Sequence, residues 1–120
     1  EWWEAILTCV DNLNKNNNAV FKTIQGIGLS GQMHGAVLLD KYNKVLRPAI
    51  LWNDTRSEQE CKELTKQIKS LERISGNIAM PGFTAPKLVW VKKYEPQIFS
   101  KVKTVLLPKD FINFLLTGHK

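Results

Sequence analysis

Segments with helical spacing alternate along this chain with short apolar segments of strand character, and this alternation constrains the fold most. Residues 2–13 place apolar side chains at steps of three and four, as one face of a helix does. Short apolar pieces follow within residues 20–52, and helical spacing returns from residue 58. Alternation of this kind is typical of the α/β class.

Three strands are predicted in the first half of the chain, around residues 24–29, 37–39 and 49–52. The polar residues 40–44 between the last two predict a hairpin turn. A further buried strand is predicted over residues 102–107, because this apolar run begins with a β-branched residue and stops at a proline.

Further helices are predicted from their termini. Thr55 and Glu58 have the spacing of a capping box ahead of apolar residues at helical spacing. Pro86 suits the first turn of another helix, since its φ is fixed and no donor is lost there. A last short helix is predicted to close at Gly118, because glycine tolerates the positive φ of that position.

Length and charge exclude several classes of protein. A chain of 120 residues is enough for one small domain. No apolar run approaches the ~20 residues of a membrane-spanning helix. The net charge of +6 comes mostly from lysines dispersed over residues 62–69, 87–93 and 101–109. Because nucleic-acid sites concentrate charge on one face, we interpret these lysines as solvated surface and expect neither a nucleic-acid nor a membrane partner.

The two cysteines indicate a reducing environment. Cys9 and Cys61 lie far apart on segments with helical spacing. We therefore expect buried free thiols rather than a disulfide, and a cytoplasmic location.

Residues 28–35, Gly-Leu-Ser-Gly-Gln-Met-His-Gly, are the first candidate for binding chemistry. A strand that runs into small residues lets a ligand approach the backbone closely. The glycines fit neither the dinucleotide fingerprint nor the nucleophile elbow. On spacing alone, His34 is more often a structural group than a catalyst, and neither His34 nor His119 lies in a cluster with metal-ligand spacing.

Residues 51–56, Leu-Trp-Asn-Asp-Thr-Arg, are the second candidate. The indole of Trp52 could cover a C–H face of a polyol while Asn53, Asp54 and Arg56 bind its hydroxyls. A structural interpretation is equally physical, because Asp54 or Thr55 could cap the following helix and Arg56 could pair with a carboxylate. Composition does not separate the two.

Four segments in order give the chain a specific resemblance: residues 28–35, 46–54, 81–91 and 105–110. They resemble the FGGY family of carbohydrate kinases, and the likeness covers residues 2–118. Within that family the Gln-Met-His-Gly segment is similar to the xylulose kinases, whereas glycerol kinases carry an Arg-Glu pair where this chain has Met33 and His34.

The resemblance implies an α/β fold that is part of a ribonuclease-H-like (actin-like ATPase) domain, with a mixed sheet, a β-hairpin insertion and flanking helices. It implies a full-length enzyme in which D-xylulose and ATP with Mg²⁺ meet in a cleft between two domains. The substrate-binding residues that it implies in this segment are Met33, His34, Trp52, Asn53, Asp54 and Arg56.

The family's Asp-x-Gly-Thr phosphate loop and its Gly-Asp-Asn-type segment with the catalytic aspartate are not found in these 120 residues. Asp110 is expected to be a helix N-cap rather than that base. The resemblance thus implies that residues 1–120 are a single partial domain, an internal part of the kinase N-terminal domain, without a catalytic residue. Alone, the chain is expected to be inactive and to self-associate through uncovered strand edges and apolar faces.

Three functions stay open at this point. The first is ATP-dependent phosphorylation of D-xylulose to D-xylulose 5-phosphate by a parent enzyme to which this segment contributes sugar-binding residues. The second is an FGGY kinase acting on ribulose or a similar polyol or ketose. The third is a sugar-binding module without chemistry of its own.

Overall fold

Helices and strands alternate in the structure, as the sequence pattern predicts. The computed structural model describes all 120 residues. Seven helices and two strands follow one another in this order: α1 Trp2–Asn16, α2 Asn18–Phe21, β1 Val37–Leu39, α3 Glu58–Gln67, α4 Leu71–Ser75, α5 Thr84–Tyr94, α6 Pro96–Phe99, β2 Thr104–Leu106 and α7 Pro108–Thr117.

The two strands form a small antiparallel sheet in which Leu38 lies opposite Val105. All three residues of β1 are buried. Single bridges extend the pairing, from Ala36 to Ile50 and from Leu39 to Val45. The predicted strand at 49–52 is therefore reduced to one bridging residue.

The predicted hairpin turn over residues 40–44 is confirmed. The Asp40 N–H donates to the Lys44 carbonyl at 3.0 Å. The Asp40 carboxylate accepts the backbone N–H groups of Tyr42 and Lys44 at 2.8 and 2.9 Å. Asn43 takes a positive φ of 65°, which asparagine tolerates well.

The strand predicted over residues 24–29 is wrong for this chain, since no strand forms there and Ile24 and Ile27 are exposed. A strand is stable only when a partner satisfies its backbone groups, and none of the 120 residues pairs with this segment. Helix α1 also contains no buried residue, although its apolar spacing is correct. The expected self-association stays a prediction.

The core lies between the sheet and helix α5. Ala36, Leu38, Ile50 and Val91 are at most 1% exposed and form its centre. Half-buried apolar side chains pack around them: Leu46, Leu88, Trp90, Ile98, Phe99 and Val102. Helix α5 thus packs through the face that carries Leu88 and Val91, and this position brings its N-terminus to the segments described below.

Two predicted helix caps are wrong. Helix α3 begins at Glu58 with Ser57 at the N-cap position, and only the backbone carbonyl of Thr55 accepts the Glu58 N–H, at 3.2 Å. Asp110 lies inside the first turn of α7, because Pro108 already occupies the first helical position. The Asp110 carboxylate instead pairs with Lys109 at 2.5 Å. The predicted closure of α7 at Gly118 is confirmed, with φ at 74°.

Both cysteines are free thiols, but only one is buried. Burial raises the pKa of Cys61, whereas Cys9 is exposed on α1, so the expectation of a buried thiol is wrong for Cys9. None of the seven helices combines the length and apolar character needed to cross a bilayer.

Candidate functional site

His34 occupies a tight three-residue turn. The Gly35 N–H donates to the Met33 carbonyl at 2.9 Å, which closes a γ-turn around His34. The φ of His34 is 64°, in the left-handed region that a side chain with a Cβ seldom enters. This form of γ-turn is rare and strained, so other groups must hold it.

The His34 carbonyl is held by two side chains from helix α5. Lys87 Nζ donates to it at 2.7 Å and Thr84 Oγ1 at 3.2 Å. Lys87 is fully buried, and its ammonium also donates to the Gly82 carbonyl. Burial lowers the pKa of Lys87, and the charge of Asp54 opposes that shift.

The imidazole of His34 stacks on Phe83, with ring centroids 4.3 Å apart and planes 27° apart. Met33, His34 and Phe83 line a cavity of about 510 Å³ together with residues of helices α3 and α4, residues 77–79 and the first turn of α5, which includes Thr84. The Met33 side chain is exposed at this cavity. Such a cavity, mostly apolar with a few polar groups, is the usual form of a small-molecule site.

The second predicted segment forms a separate loop. Asp54 and Arg56 pair with each other through three contacts of 2.7 to 3.0 Å, and the Asp54 carboxylate also accepts the Arg56 backbone N–H. The pairing lowers the pKa of Asp54 and raises that of Arg56. The Arg56 guanidinium also lies 4.8 Å from the centre of the Trp90 ring. This self-contained pair favours the structural interpretation of these two residues.

Trp52 and Asn53 are exposed on that loop. Neither lines the cavity that Met33 and His34 share. The structure thus brings together the first two of the six predicted site residues at one cavity and places the other four on a neighbouring loop.

Residues 81–87 join the two loops. A Cβ at Gly82 would lie 2.7 Å from the Trp52 carbonyl oxygen, so only glycine permits this approach. The Ser57 hydroxyl donates to the Pro81 carbonyl at 3.1 Å. Because the same segment supplies Lys87 to His34, it fixes the distance between the two loops.

The fourth resemblance segment also reaches the His34 turn. A Cβ at Gly35 would lie 2.6 Å from Cγ of Pro108, and one at Gly31 would lie 3.4 Å from Cβ of Lys109. The Ile50 carbonyl oxygen, in the second segment, lies 3.8 Å from the same Cβ position of Gly35, so all four segments singled out in the sequence meet around residues 31–35.

Sequence reasoning missed Lys87, which we interpreted as solvated surface. A signal for its burial was present, because Lys87 lies four residues before the buried Val91 and thus on the same face of α5. The interpretation of lysine as a surface residue outweighed that spacing.

Comparison with known proteins gives the class of protein. The sequence profile of the FGGY family of carbohydrate kinases, N-terminal domain, matches residues 1–120. The chain therefore belongs to the FGGY family of carbohydrate kinases.

Individual relatives narrow the comparison to one group of kinases within this family. The chain is 48% identical over 119 residues to a xylulose kinase of Klebsiella pneumoniae and 47% identical over 119 residues to that of Escherichia coli. These alignments cover 99% of this chain and 24% of each relative, so the chain spans about a quarter of their length.

Solved structures agree with the sequence comparison. The chain superposes on a protein described as a xyloylose kinase from Brucella ovis with a TM-score of 0.95 and 52% identity, covering 98% of this chain and 25% of that one. The xylulose kinase from Rhodospirillum rubrum gives a TM-score of 0.92 at 32% identity, with the same coverage. These matches confirm the predicted α/β fold of the ribonuclease-H-like (actin-like ATPase) class.

Proposed function

We propose that these 120 residues are an internal part of the N-terminal domain of a longer xylulose kinase, called the parent kinase below. The parent kinase transfers a phosphoryl group from ATP to the 5-hydroxyl of D-xylulose and yields D-xylulose 5-phosphate. The observation that carries this proposal is the 48% identity of nearly the whole chain to a protein named xylulose kinase.

The role of this segment is to bind and orient the sugar. The His34 imidazole and the Met33 side chain lie at one cavity, where the imidazole can bond a sugar hydroxyl and the thioether can pack against C–H groups. The neighbouring loop offers the exposed indole of Trp52 and the exposed amide of Asn53 as further sugar contacts in the parent kinase, while the pairing of Asp54 with Arg56 keeps that loop in shape.

The chemistry itself comes from residues outside this segment. Phosphoryl transfer requires Mg²⁺, a phosphate-binding loop and a base that orients the attacking hydroxyl. We expect the loop and the base in other parts of the parent kinase, since neither family motif occurs in these 120 residues. Asp54 is also a poor base, because its pairing with Arg56 lowers its pKa. We place the parent kinase in the cytoplasm, where ATP is available.

A substrate panel tests the proposal. Purified parent kinase is assayed with ATP and D-xylulose, D-ribulose or glycerol in a coupled assay, and kcat/KM is expected to be highest for D-xylulose. Changing His34→Ala should lower kcat/KM for D-xylulose by about 5- to 150-fold, since one buried hydrogen bond to a polar substrate is worth ~1–3 kcal/mol.

The matched control is His119→Ala, which removes an exposed histidine outside the cavity and should leave kinetics unchanged. Higher kcat/KM with D-ribulose would identify a different kinase of the family. Absence of turnover with all three substrates would favour a binding module. Unchanged kinetics in His34→Ala would show that His34 does not contact the sugar.

A further inference from the structure

The His34 turn costs free energy that its own hydrogen bond does not recover. A side chain with a Cβ is disfavoured at φ 64°, and the single bond from the Gly35 N–H to the Met33 carbonyl closes only three residues. Asn43 has nearly the same φ, but it lies in a hairpin turn closed by several hydrogen bonds, whereas the γ-turn at His34 has one. His34 thus needs an external support.

Lys87 supplies that support at a cost of its own. A buried ammonium is unfavourable unless acceptors surround it. Here the acceptors are backbone carbonyls, that of His34 at 2.7 Å and that of Gly82. Asp54 contributes only a longer-range attraction, because its carboxylate is paired with Arg56. The buried ammonium of Lys87 is therefore stabilised by two backbone carbonyls, one of them in the His34 turn, and not by a direct ion pair.

We propose that Lys87 is a positioning residue for the sugar site: its ammonium holds the His34 carbonyl and so keeps the γ-turn that directs the His34 ring onto Phe83 at the cavity. Thr84 assists through its hydroxyl, which donates to the same carbonyl. This inference rests on the proposed function for its effect on catalysis, while its structural part is independent of the substrate.

The test removes the ammonium group of Lys87 and keeps an apolar side chain of similar length. Lys87→Met in the parent kinase should lower kcat/KM for D-xylulose by about 10- to 100-fold, the range for losing a charged hydrogen bond, with the KM for ATP within about twofold of the original. In a His34→Ala background the same change should cost less than about threefold, because Lys87 acts through His34. Lys92→Met, an exposed lysine of the same helix, is the matched control and should change nothing.

A second readout needs no activity. In histidine-labelled parent kinase the His34 ring protons, assigned by their loss in His34→Ala, should be shifted by the stacked Phe83 ring. Lys87→Met should remove that shift, and Lys92→Met should keep it. This readout separates failures: a parent kinase that uses no ketose refutes the proposed function, while the ring signals still report on Lys87.

Two outcomes would overturn the inference. One is an equal loss of kcat/KM from Lys87→Met in the original and His34→Ala backgrounds, since that marks a general structural role. The other is an unchanged His34 ring signal.

If Lys87→Met does not fold, Thr84→Val removes the second donor and leaves the buried charge in place. It should weaken D-xylulose use by about 2- to 5-fold, again only when His34 is present, and equal kinetics with and without the hydroxyl would refute the arrangement.

Discussion

The two loops that the sequence offered as sugar-binding segments are built in different ways. The loop at Met33 and His34 is strained and is held from outside by a buried ammonium. The loop at residues 52–56 closes on itself, through the pairing of Asp54 with Arg56. A strained turn that other elements hold is typical of a functional position. A partly exposed ion pair within one loop contributes little free energy and only shapes that loop.

This difference between the two loops predicts which substitutions should affect the cavity and which should affect only their own loop. Changes in the first loop should reach the proposed sugar site directly, because its two side chains line the cavity. Changes in the second loop should act locally, except at Trp52, whose indole is exposed next to the joint formed by residues 81–87. Three changes, taken in order of expected size, test the contrast.

The largest effect is expected when the first loop is given the pair found in glycerol kinases. Met33→Arg with His34→Glu adds two charged side chains at the cavity and removes both proposed sugar contacts. We expect kcat/KM for D-xylulose in the parent kinase to fall by about 100-fold or more, from two contacts of ~1–3 kcal/mol each. Glycerol use need not appear, because other pocket groups would be unmatched.

The control for this double change adds the same two residue types elsewhere. Lys41→Glu with Tyr42→Arg alters two exposed side chains in the hairpin turn and should leave the kinetics unchanged. If the Met33 and His34 variant keeps its D-xylulose kinetics, the first loop is not part of the sugar site and the contrast between the loops is lost.

The sequence predicted the parts of the fold that depend on local patterns. Helical spacing located α1, α5 and α7, and polar residues between apolar ones located the hairpin turn. It failed at residues 24–29, where apolar spacing alone cannot show whether a pairing partner exists. It also failed at the caps, because the roles of Thr55 and Asp110 depend on which residue enters the helix first.

The sequence named candidate residues for the site but not the contacts that hold them in place. The resemblance named Met33 and His34, and the structure places both at one cavity. The bond from Lys87 to the His34 carbonyl joins residues 53 positions apart, and no local pattern encodes such a contact. The pairing of Arg56 with Asp54 is also visible only in three dimensions, since a sugar contact and an ion pair use the same residue types.

The second effect concerns the joint between the loops. Gly82→Ala would place a methyl group 2.7 Å from the Trp52 carbonyl oxygen, so the second loop must move away from helix α5. We expect the free energy of unfolding of the parent kinase to fall by ~1–3 kcal/mol, as for other overpacked sites. Gly26→Ala, where nothing lies within 4 Å, is the control and should change stability by less than ~1 kcal/mol.

Denaturant unfolding measures both glycine variants. Equal stability of Gly82→Ala and the original protein would mean that the second loop yields freely, and the two loops would then be mechanically independent. A fall in D-xylulose kcat/KM that accompanies the loss of stability would instead show that the spacing between the loops matters to the first one.

The smallest effect belongs to the pair inside the second loop. Asp54→Asn removes the charge that Arg56 binds, and because the pair is partly solvated it should cost only ~0.5–1 kcal/mol near pH 7. The pKa of Asp54 is lowered in the folded state, first by the hydrogen bonds from Arg56. Its contribution is therefore present above the unfolded pKa of ~3.9 and is lost as the pH falls through the lower folded value.

The stability difference between the original protein and Asp54→Asn should accordingly be constant from about pH 7 to 5 and shrink below about pH 4. Urea unfolding at several pH values measures it, with Glu58→Gln as the control, since Glu58 forms only an exposed i, i+4 pair with Lys62. A stability difference well above ~1 kcal/mol would show that the pair is not a weak, local one. A large loss of D-xylulose kcat/KM with stability intact would show that Asp54 acts in the proposed sugar site, and either result would remove the contrast between the two loops.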